Sequence, residues 1–310
     1  MMASTQNHEK GQLERIVDSL CHQGPGSVLF HRHRHEVPMP SVAALEDIID
    51  GLRAVLFPGY FGHSDLTPQN LRYHVGAGLD RTLGLLAEQI KRGYCFYCSA
   101  AELTCSECDA RAMRITDEFA SRLPVVQALL STDVQAAFVG DPAARHPGET
   151  VFCYPSITAM THYRIAHELQ HLGVPLIPRM ITEFSHSRTG IDIHPGAHIG
   201  ESFFMDHGTG IVIGETTIIG ANVRLYQGVT LGAKSFPVDE QGNPLKGMPR
   251  HPIVEDDVTI YAGATILGRI TIGRGAVIGG NVWVTSSVPP AATITQGRPV
   301  MTGYLDGDGI

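Results

Sequence analysis

Two histidines in this sequence stand beside charged residues in short polar motifs. His207 follows Asp206 in the run MDHGTG, and His251 follows Arg250 in the run RHP. Histidine suits proton transfer because its pKa lies near neutral pH. The residue types therefore fit general acid–base chemistry. Taken alone, His207 fits equally well as a core histidine with satisfied hydrogen bonds, and the run RHP fits a solvated loop.

Four cysteines form two CxxC pairs with a spacer of six residues: Cys95, Cys98, Cys105 and Cys108. Paired CxxC motifs occur in zinc and iron–sulfur sites. The spacer is much shorter than in a zinc ribbon, so a structural metal and a set of plain thiols both stay open. The run HRHRH at 31–35 fits either a metal-binding tract or part of an exposed, variable N-terminal tail.

The second half of the chain carries a six-residue repeat that must position the histidines. From Val254 to Val284 an aliphatic residue recurs every six positions, and a small or branched residue stands four positions after each one. The same period runs earlier, from Ile213 to Leu231. Neither the helical period nor strand alternation fits this pattern. A strict hexapeptide period indicates the stacked coils of a parallel β-helix.

The repeat is irregular in two places. Residues 234–252 lack the period and are rich in proline, glycine and charge, which predicts a functional excursion loop. Near the start, Pro195, Glu201 and His207 occupy the place that later rungs give to an aliphatic residue. A functional site is expected where a regular repeat is interrupted. Glycines such as Gly214 are expected at corners, where tight turns need a permissive backbone.

Asp192 lies fifteen residues before His207. Three six-residue rungs make a coil of eighteen residues, which places Asp192 about one coil below His207 and displaced by half a rung. A carboxylate in that position could hold the imidazole in one tautomer, as the aspartate of a catalytic triad does.

The first half of the chain predicts helices. Apolar periodicity, caps and breakers predict them over 41–56, from Thr67-Pro68 to Gly93, over about 109–123, over 125–138 and over 156–172. The fold class is therefore α+β. Its predicted parts are a variable N-terminal segment (1–40), a helical domain (41–190), a parallel β-helix (191–296) and a flexible tail (297–310).

Composition excludes several classes of function. The formal net charge is −8 and no basic stripe appears, which argues against nucleic acid as a partner. No signal-peptide core and no apolar run of 18 residues is found, so neither secretion nor a membrane span is expected. Six cysteines without a secretion signal predict a cytoplasmic protein.

Five runs closely resemble bacterial serine O-acetyltransferase, a hexapeptide-repeat acyltransferase: DIHPGAHIG, MDHGTGIVIGET, GVTLG, RHP and SSVPP. The ending GDGI resembles the C-terminus of that family, and the likeness covers about residues 130–310. A generic hexapeptide protein would share the rungs but lack these polar insertions. The resemblance implies a left-handed β-helix behind a helical domain, and transfer of an acetyl group from acetyl-CoA to L-serine in cysteine biosynthesis.

The resemblance also implies roles for individual residues. His207 becomes the catalytic base, oriented by Asp192, and His251 a second active-site histidine. Arg250 would clamp the serine carboxylate, and His251 would also contact serine. The serine amino group would be held by the aspartate pair Asp141 and Asp206. No nucleophilic cysteine or serine stands in these motifs, so direct attack by the serine oxygen is expected, without an acyl-enzyme and without a metal for chemistry.

Acetyl-CoA in the family lies in a groove between subunits, and the matching small residues are Gly232, Ala233, Ala262 and Gly280. The family forms trimers, often paired into hexamers. Its C-terminal tail binds O-acetylserine sulfhydrylase, a role that falls here to Ile310. His194 and His198 are interpreted as structural or surface residues.

Three other interpretations compete with this one. A hexapeptide acyltransferase acting on a sugar is disfavoured by Asp141, Arg250 and the GDGI ending. A γ-type carbonic anhydrase would need three histidines on one zinc ion, for which His194, His198 and His207 are candidates. A scaffold that only docks the sulfhydrylase is disfavoured by the full set of catalytic residues. Inhibition by cysteine, the choice between trimer and hexamer and the group that stabilises the oxyanion stay open.

Overall fold

The computed structural model describes four stretches of the chain, residues 5–21, 37–62, 65–98 and 105–297. The chain divides into one compact unit that ends at Met39 and a second that begins at Pro40. Helix α1 (Thr5–Cys21) belongs to the first unit. No helix is predicted in this variable segment, yet its exposed apolar side chains recur at helical spacing: Leu13, Ile16, Val17 and Leu20.

Six helices open the second unit: α2 (Val42–Leu56), α3 (Leu71–Tyr97), α4 (Cys105–Gly140), α5 (Pro147–Cys153), α6 (Pro155–His171) and α7 (Ile177–Thr189). The predicted start of α2 is confirmed, since Ser41 Oγ accepts the N–H of Ala44 at 3.2 Å. Helix α3 begins later than predicted because Thr67 and Asn70 cap a separate turn through two mutual hydrogen bonds. It also continues through Gly93. Helices α5 and α7 were not predicted individually.

Helix α4 runs unbroken through Pro124, so the boundary predicted there is wrong. A proline inside a helix costs about 3 kcal/mol, but Leu123 and Val126 beside it are buried in the core and hold the helix in place. Among the described residues, α4 is also the one helix that is long and apolar enough to cross a membrane by length and composition alone. Its Asp133 is fully buried against Arg164 of α6, and that ion pair is typical of a core helix.

The fourteen strands that follow are two or three residues long: β1 (Asp192–Ile193), β2 (His198–Ile199), β3 (Phe204–Asp206), β4 (Val212–Ile213), β5 (Ile218–Ile219), β6 (Arg224–Tyr226), β7 (Thr230–Gly232), β8 (Ile253–Val254), β9 (Thr259–Ile260), β10 (Thr265–Leu267), β11 (Thr271–Ile272), β12 (Val277–Ile278), β13 (Trp283–Val284) and β14 (Thr293–Ile294). They form three parallel sheets, which are the three faces of a left-handed β-helix. The predicted fold class is confirmed.

Each face takes every third strand up to β13, and β14 then joins the third face beside β12. The first face has the order β1-β4-β7-β10-β13, the second has β2-β5-β8-β11, and the third has β3-β6-β9-β12-β14. In the strands from β1 to β13 an aliphatic residue, or Met205 in β3, points into the prism and is buried, as the repeat predicts for Ile213 to Val284. Stacked coils therefore share one narrow core in which each rung covers its neighbour.

The first coil is longer than the later regular ones. Asp192 pairs with Val212, twenty residues later, whereas Val212 pairs with Thr230, eighteen residues later. The two additional residues lie between β3 and β4, where His207 stands. Before this insertion the buried positions are Ile193, Ile199 and Met205. The prediction that His207 occupies an inward register is therefore wrong, since the register shifts by two residues at that turn.

Helices α4 and α6 close the first coil from below. Arg164 holds Asp133 through two hydrogen bonds of 2.6 and 2.8 Å and also donates to the carbonyl of Gly200 at 2.8 Å. Asp133 accepts the N–H of Phe203 at 3.1 Å, and the hydroxyl of Tyr163 donates to the carbonyl of Ala197 at 2.6 Å. This buried polar network fixes the helical part against the coil that carries the candidate site.

Candidate active site

The turns between faces stack into corners, and two of these corners carry the predicted site residues. The first corner joins the third face to the first, and its turns are residues 207–211, 227–229, 261–264 and 279–282. The second corner joins the first face to the second, and its turns are residues 194–197, 214–217, 233–252, 268–270 and 285–287.

His207 lies on the first corner and points into solvent. Its backbone has φ +57°, a left-handed conformation that few residues other than glycine adopt. Its side chain is 73% exposed, and its Nδ1 lies 3.8 Å from Oδ1 of Asp206, the last residue of β3. The inserted turn thus holds the imidazole out from the coil, where it can meet a substrate.

Asp141 reaches the same place from the end of α4. Its carboxylate accepts hydrogen bonds from the hydroxyl of Tyr154 and from the N–H of Ala143. The Tyr154 hydroxyl, then the Ala143 N–H and the nearby His207, hold the pKa of Asp141 below its usual range. Burial, together with Asp141 and Asp206, raises the pKa of Tyr154, so this residue stays a neutral donor. The structure therefore brings the two predicted aspartates together with His207.

Arg250 lies on the second corner and already has a carboxylate partner. Its Nη2 donates to Oε2 of Glu215 at 2.6 Å, and its side chain is only 23% exposed. The excursion loop before it is exposed and is organised by Asp239, which caps a turn closed with Asn243. A substrate carboxylate can therefore bind Arg250 only if it shares the guanidinium with Glu215 or displaces Glu215 from it.

His251 is packed into the second corner and is only 7% exposed. Its Nδ1 faces the N–H of Thr216 at 3.1 Å and the Oγ1 of the same residue at 2.9 Å. A Cβ on Gly214 would overlap the imidazole, so this glycine is required for close approach. The predicted reason, a permissive backbone angle, is wrong there. Burial and then Arg250 lower the pKa of His251 to about 4, which keeps the ring neutral.

Asp192 stands on the first face, between the two corners. Its register places it under Val212 and not under His207, because the first coil has twenty residues. Its Oδ1 lies 3.5 Å from Nη1 of Arg179 and has no hydrogen-bond partner within the described parts of the chain. No hydrogen bond or ion pair to His207 forms among these residues.

The four small residues predicted to contact acetyl-CoA also divide between the corners. Ala262 and Gly280 stack on the first corner, where a Cβ on Gly280 would lie 3.1 Å from the carbonyl oxygen of Ala262. Gly232 ends β7 and Ala233 opens the excursion at the second corner. Each pair lies on the same corner as one of the two histidines.

The histidines considered for a zinc site are dispersed. His194 lies at the second corner, where burial lowers its pKa, and its Nδ1 accepts the N–H of Gly196 at 3.0 Å. His198 contacts the rings of His167 and His171 on α6. Across the residues that the structure describes, no group of three or more His, Cys, Asp or Glu side chains is suited to a metal.

Several predictions fall partly or wholly outside the described residues. The tract HRHRH and Ile310 lie outside them, and so does the side chain of Cys105. Cys108 is buried, and Cys95 and Cys98 are partly buried.

Sequence reasoning missed four residues that the structure adds to the site region. They are Tyr154, Glu215, Thr216 and Arg269. Glu215 and Thr216 belong to the run MDHGTGIVIGET that had already been singled out, so their polarity inside a rung was an available signal. Tyr154 and Arg269 gave no such signal, because their role depends on which elements the fold brings together.

Comparison with known proteins gives a consistent result. Residues 251–286 match the family model described as bacterial transferase hexapeptide (six repeats). A plasmid-encoded serine acetyltransferase of Synechococcus elongatus is 54% identical over 302 residues, which cover 96% of this chain and 95% of that protein. The serine acetyltransferase of Mycobacterium tuberculosis is 46% identical over 162 residues, covering 52% of this chain and 67% of that protein.

Solved structures show the same likeness. Serine acetyltransferase 1 of Entamoeba histolytica in complex with L-cysteine superposes with a TM-score of 0.71 and 34% identity, covering 95% of this chain and 100% of that one. A serine acetyltransferase of Neisseria gonorrhoeae in complex with serine gives a TM-score of 0.53 and 25% identity, covering 86% of this chain and 100% of that one.

Proposed function

Because this chain belongs to the serine acetyltransferase family, we propose that it transfers the acetyl group of acetyl-CoA to the hydroxyl of L-serine. The products are O-acetyl-L-serine and CoA, in cysteine biosynthesis. The observation that carries this proposal is 54% identity over nearly the whole of both chains. The sugar acyltransferase and carbonic anhydrase alternatives have no comparable support.

The first corner supplies the base. His207 is exposed and can take the proton of the serine hydroxyl as the oxygen attacks the acetyl carbonyl. The C–S bond of the thioester then breaks, and the CoA thiolate leaves and recovers a proton. Asp141 and Asp206 offer two carboxylates beside this imidazole for the serine ammonium group. Asp192 would orient His207; its Oδ1 accepts no hydrogen bond from the described residues and lies 3.5 Å from Nη1 of Arg179, so it becomes available for that role once Arg179 moves away.

The second corner supplies the recognition of the carboxylate. Arg250 is held by Glu215 and would engage the serine carboxylate through its remaining N–H groups. His251 beside it offers one ring nitrogen to the substrate, since the other faces Thr216. No metal enters the proposed reaction.

The division of these residues supports a site built from two copies of the chain. Within one chain, each strand of the first face and its flanking turns separate the two corners by on the order of 15 Å, at about 3.3 Å per residue. Serine is too small to span that distance. If copies pack around a threefold axis, the first corner of one chain faces the second corner of the next, and each contact completes one site.

The acetyl-CoA positions follow the same arrangement. Ala262 and Gly280 would line one wall of the groove and Gly232 and Ala233 of the neighbouring copy the other wall. Small side chains let the backbone approach the pantetheine arm closely. Two trimers could join through the helical part into a hexamer.

Three further expectations belong to this proposal. L-cysteine, which is bound in the Entamoeba relative, would occupy the serine site because it shares the ammonium and carboxylate groups. Ile310 would dock in the sulfhydrylase by its terminal carboxylate. The enzyme would work in the cytoplasm, and the domain bounds at 40/41, 190/191 and 296/297 are retained as predictions.

The test of the proposed function is the release of CoA thiol from acetyl-CoA in the presence of L-serine. The product is identified by mass as O-acetylserine. Ethanolamine, which lacks the carboxylate, and L-alanine, which lacks the hydroxyl, serve as matched acceptors and should react poorly or not at all. Equal thiol release with a sugar acceptor, or none with L-serine in the folded protein, would overturn the proposal.

A further inference from the structure

We propose that Thr216 is a positioning residue of the acetyl transfer, which fixes His251 as the neutral tautomer that donates its Nε2–H to a substrate oxygen. The inference rests on the proposed function and deepens it. It assigns different tasks to the two histidines of the site, since His207 takes a proton and His251 only donates a hydrogen bond.

The backbone of Thr216 determines the tautomer. Its N–H points at Nδ1 of His251 at 3.1 Å, and a backbone N–H can only donate. Nδ1 must therefore present its lone pair, and the single ring proton of the neutral imidazole lies on Nε2. In general, a hydrogen-bond partner on one ring nitrogen of a histidine orients the ring, so that the other nitrogen faces its ligand or substrate.

The side chain of Thr216 strengthens this assignment. Its Oγ1 accepts the backbone N–H of Arg250 at 2.9 Å and the backbone N–H of His251 at 3.1 Å. With both acceptor positions taken, its own O–H is left to donate to Nδ1 at 2.9 Å. One hydroxyl thus ties two coils together at the second corner and fixes the ring between them.

Arg269 completes the clamp from the next coil. Its Nη1 donates to the carbonyl of Thr216 at 2.6 Å and to the carbonyl of His251 at 3.0 Å. The Nε2 edge of the ring packs at Gly214, and none of the described residues supplies an acceptor for that N–H. An oriented N–H donor without a protein acceptor is suited to a substrate oxygen that carries negative charge.

The charged groups around the imidazole of His251 favour its neutral form. Arg250 and Arg269 disfavour a second proton on His251, as does His194, while Glu215 favours it. Burial and the cations outweigh the single carboxylate, so a charged imidazolium is not expected in the working pH range.

The experiment uses four variants of the full-length enzyme, measured for kcat and KM with L-serine. Thr216→Ser keeps the hydroxyl and should stay within about threefold of wild type, whereas Thr216→Val should lose at least tenfold in kcat/KM. His251→Gln places an N–H donor near Nε2 without a titratable ring. It should keep at least tenfold more activity than His251→Ala. Equal loss in the Gln and Ala variants would overturn the proposal, as would a Thr216→Val enzyme as active as Thr216→Ser.

A second measurement does not depend on folding of the valine variant or on turnover. Nitrogen-15 NMR of histidine-labelled wild-type protein reports the tautomer, and the signal absent from His251→Gln identifies His251 among sixteen histidines. A pyridine-type Nδ1 with a pyrrole-type Nε2 is expected at neutral pH, and the opposite pattern or a charged ring would overturn the assignment. If wild type fails to acetylate serine, the proposed function fails, while this signal still tests the tautomer that the contact with Thr216 requires.

Discussion

The two corners that carry the candidate site hold their histidines in opposite ways. At the first corner, His207 is 73% exposed, adopts a left-handed backbone and has a single ion-pair contact at 3.8 Å among the described residues. At the second corner, His251 is 7% exposed, and its ring is fixed by Thr216 and by close packing on Gly214. The same residue type is thus open to solvent in one place and fixed as a neutral group in the other.

The difference follows from how each corner departs from the regular coil. The first corner gains two residues, which carry His207 outward and shift the buried positions that follow by two residues in sequence, while the strands of successive coils stay paired. The second corner gains the excursion loop, and the chain returns through Arg250 and His251, which lie in the groove between coils. The insertion that stays in solvent leaves its histidine exposed, whereas the insertion that returns to the coil leaves its histidine buried and fixed.

The largest expected effect belongs to the exposed histidine. Replacement of His207 by Ala should lower kcat about 10³-fold, because the reaction loses its base. The measurement is serine-dependent thiol release at saturating substrates. Loss of general acid–base catalysis should leave KM for acetyl-CoA nearly unchanged. A variant that retains more than a tenth of the wild-type kcat would assign the base elsewhere.

The comparison also predicts that two variants, each inactive alone, regain activity when they assemble into one oligomer. His207→Ala damages only the first corner and Arg250→Ala only the second. If each site takes one corner from each of two neighbouring copies, about a third of the sites in trimers that contain both variants keep both corners intact. The two variants are co-expressed with different tags, and mixed oligomers are purified through both tags and assayed.

The matched control for that mixture pairs His207→Ala with Asp206→Ala. Both changes lie at the first corner, so no mixed oligomer contains an intact one and no activity should return. A mixture of His207→Ala and Arg250→Ala that stays as inactive as this control would show that each chain builds its site alone.

The fixed histidine should be sensitive to its packing. Gly214→Ala places a methyl group where the imidazole of His251 lies, and the displaced ring should lower kcat/KM by about 10²-fold. Gly76→Ala in α3, where a new Cβ has no atom within 4 Å, is the control and should leave activity unchanged. Full activity in the Gly214 variant would show that the position of the ring does not matter.

The smallest expected effect is on stability against pH. His251 has a pKa of about 4 when folded and about 6.5 when unfolded, so the unfolded chain binds more protons between these values. Its contribution to stability is therefore lost as the pH falls from about 6.5 towards 4. His251→Gln should flatten the fall of Tm between pH 7 and pH 5, measured at one fixed protein concentration.

His207→Gln is the control for the measurement of Tm. It removes a histidine from the exposed first corner and leaves the packing around His251 intact, so this variant should show the wild-type fall of Tm. An equal flattening in both variants would contradict the contrast between the corners.

The β-helix could be predicted from the sequence because its rule is local and repeated. The six-residue period predicts which aliphatic residues are buried from Ile213 to Val284, and each rung provides an independent instance of that period. The insertion before Ile213 broke that period by two residues and led to the wrong register for His207. A single irregular coil provides no second copy from which its register can be checked.

The helices and the polar network were harder to predict. Pro124 reads locally as a helix end, but tertiary packing of Leu123 and Val126 outweighs its cost. The partners of His251 and Arg250 come from other coils about 35 residues away in sequence. Motifs indicated which side chains are candidates for the chemistry, whereas the groups that hold them depended on how the coils stack.

The lengths of the coils show where this scaffold tolerates change. Ile218 pairs with Ile253 across the excursion, thirty-five residues later, and the following pair of Ile253 and Thr271 is again eighteen residues apart. Added residues at a corner leave the strands above and below in register. A foreign peptide grafted into the exposed turn around Asp239 should therefore be displayed without unfolding the prism, which makes this fold a natural carrier for engineered loops.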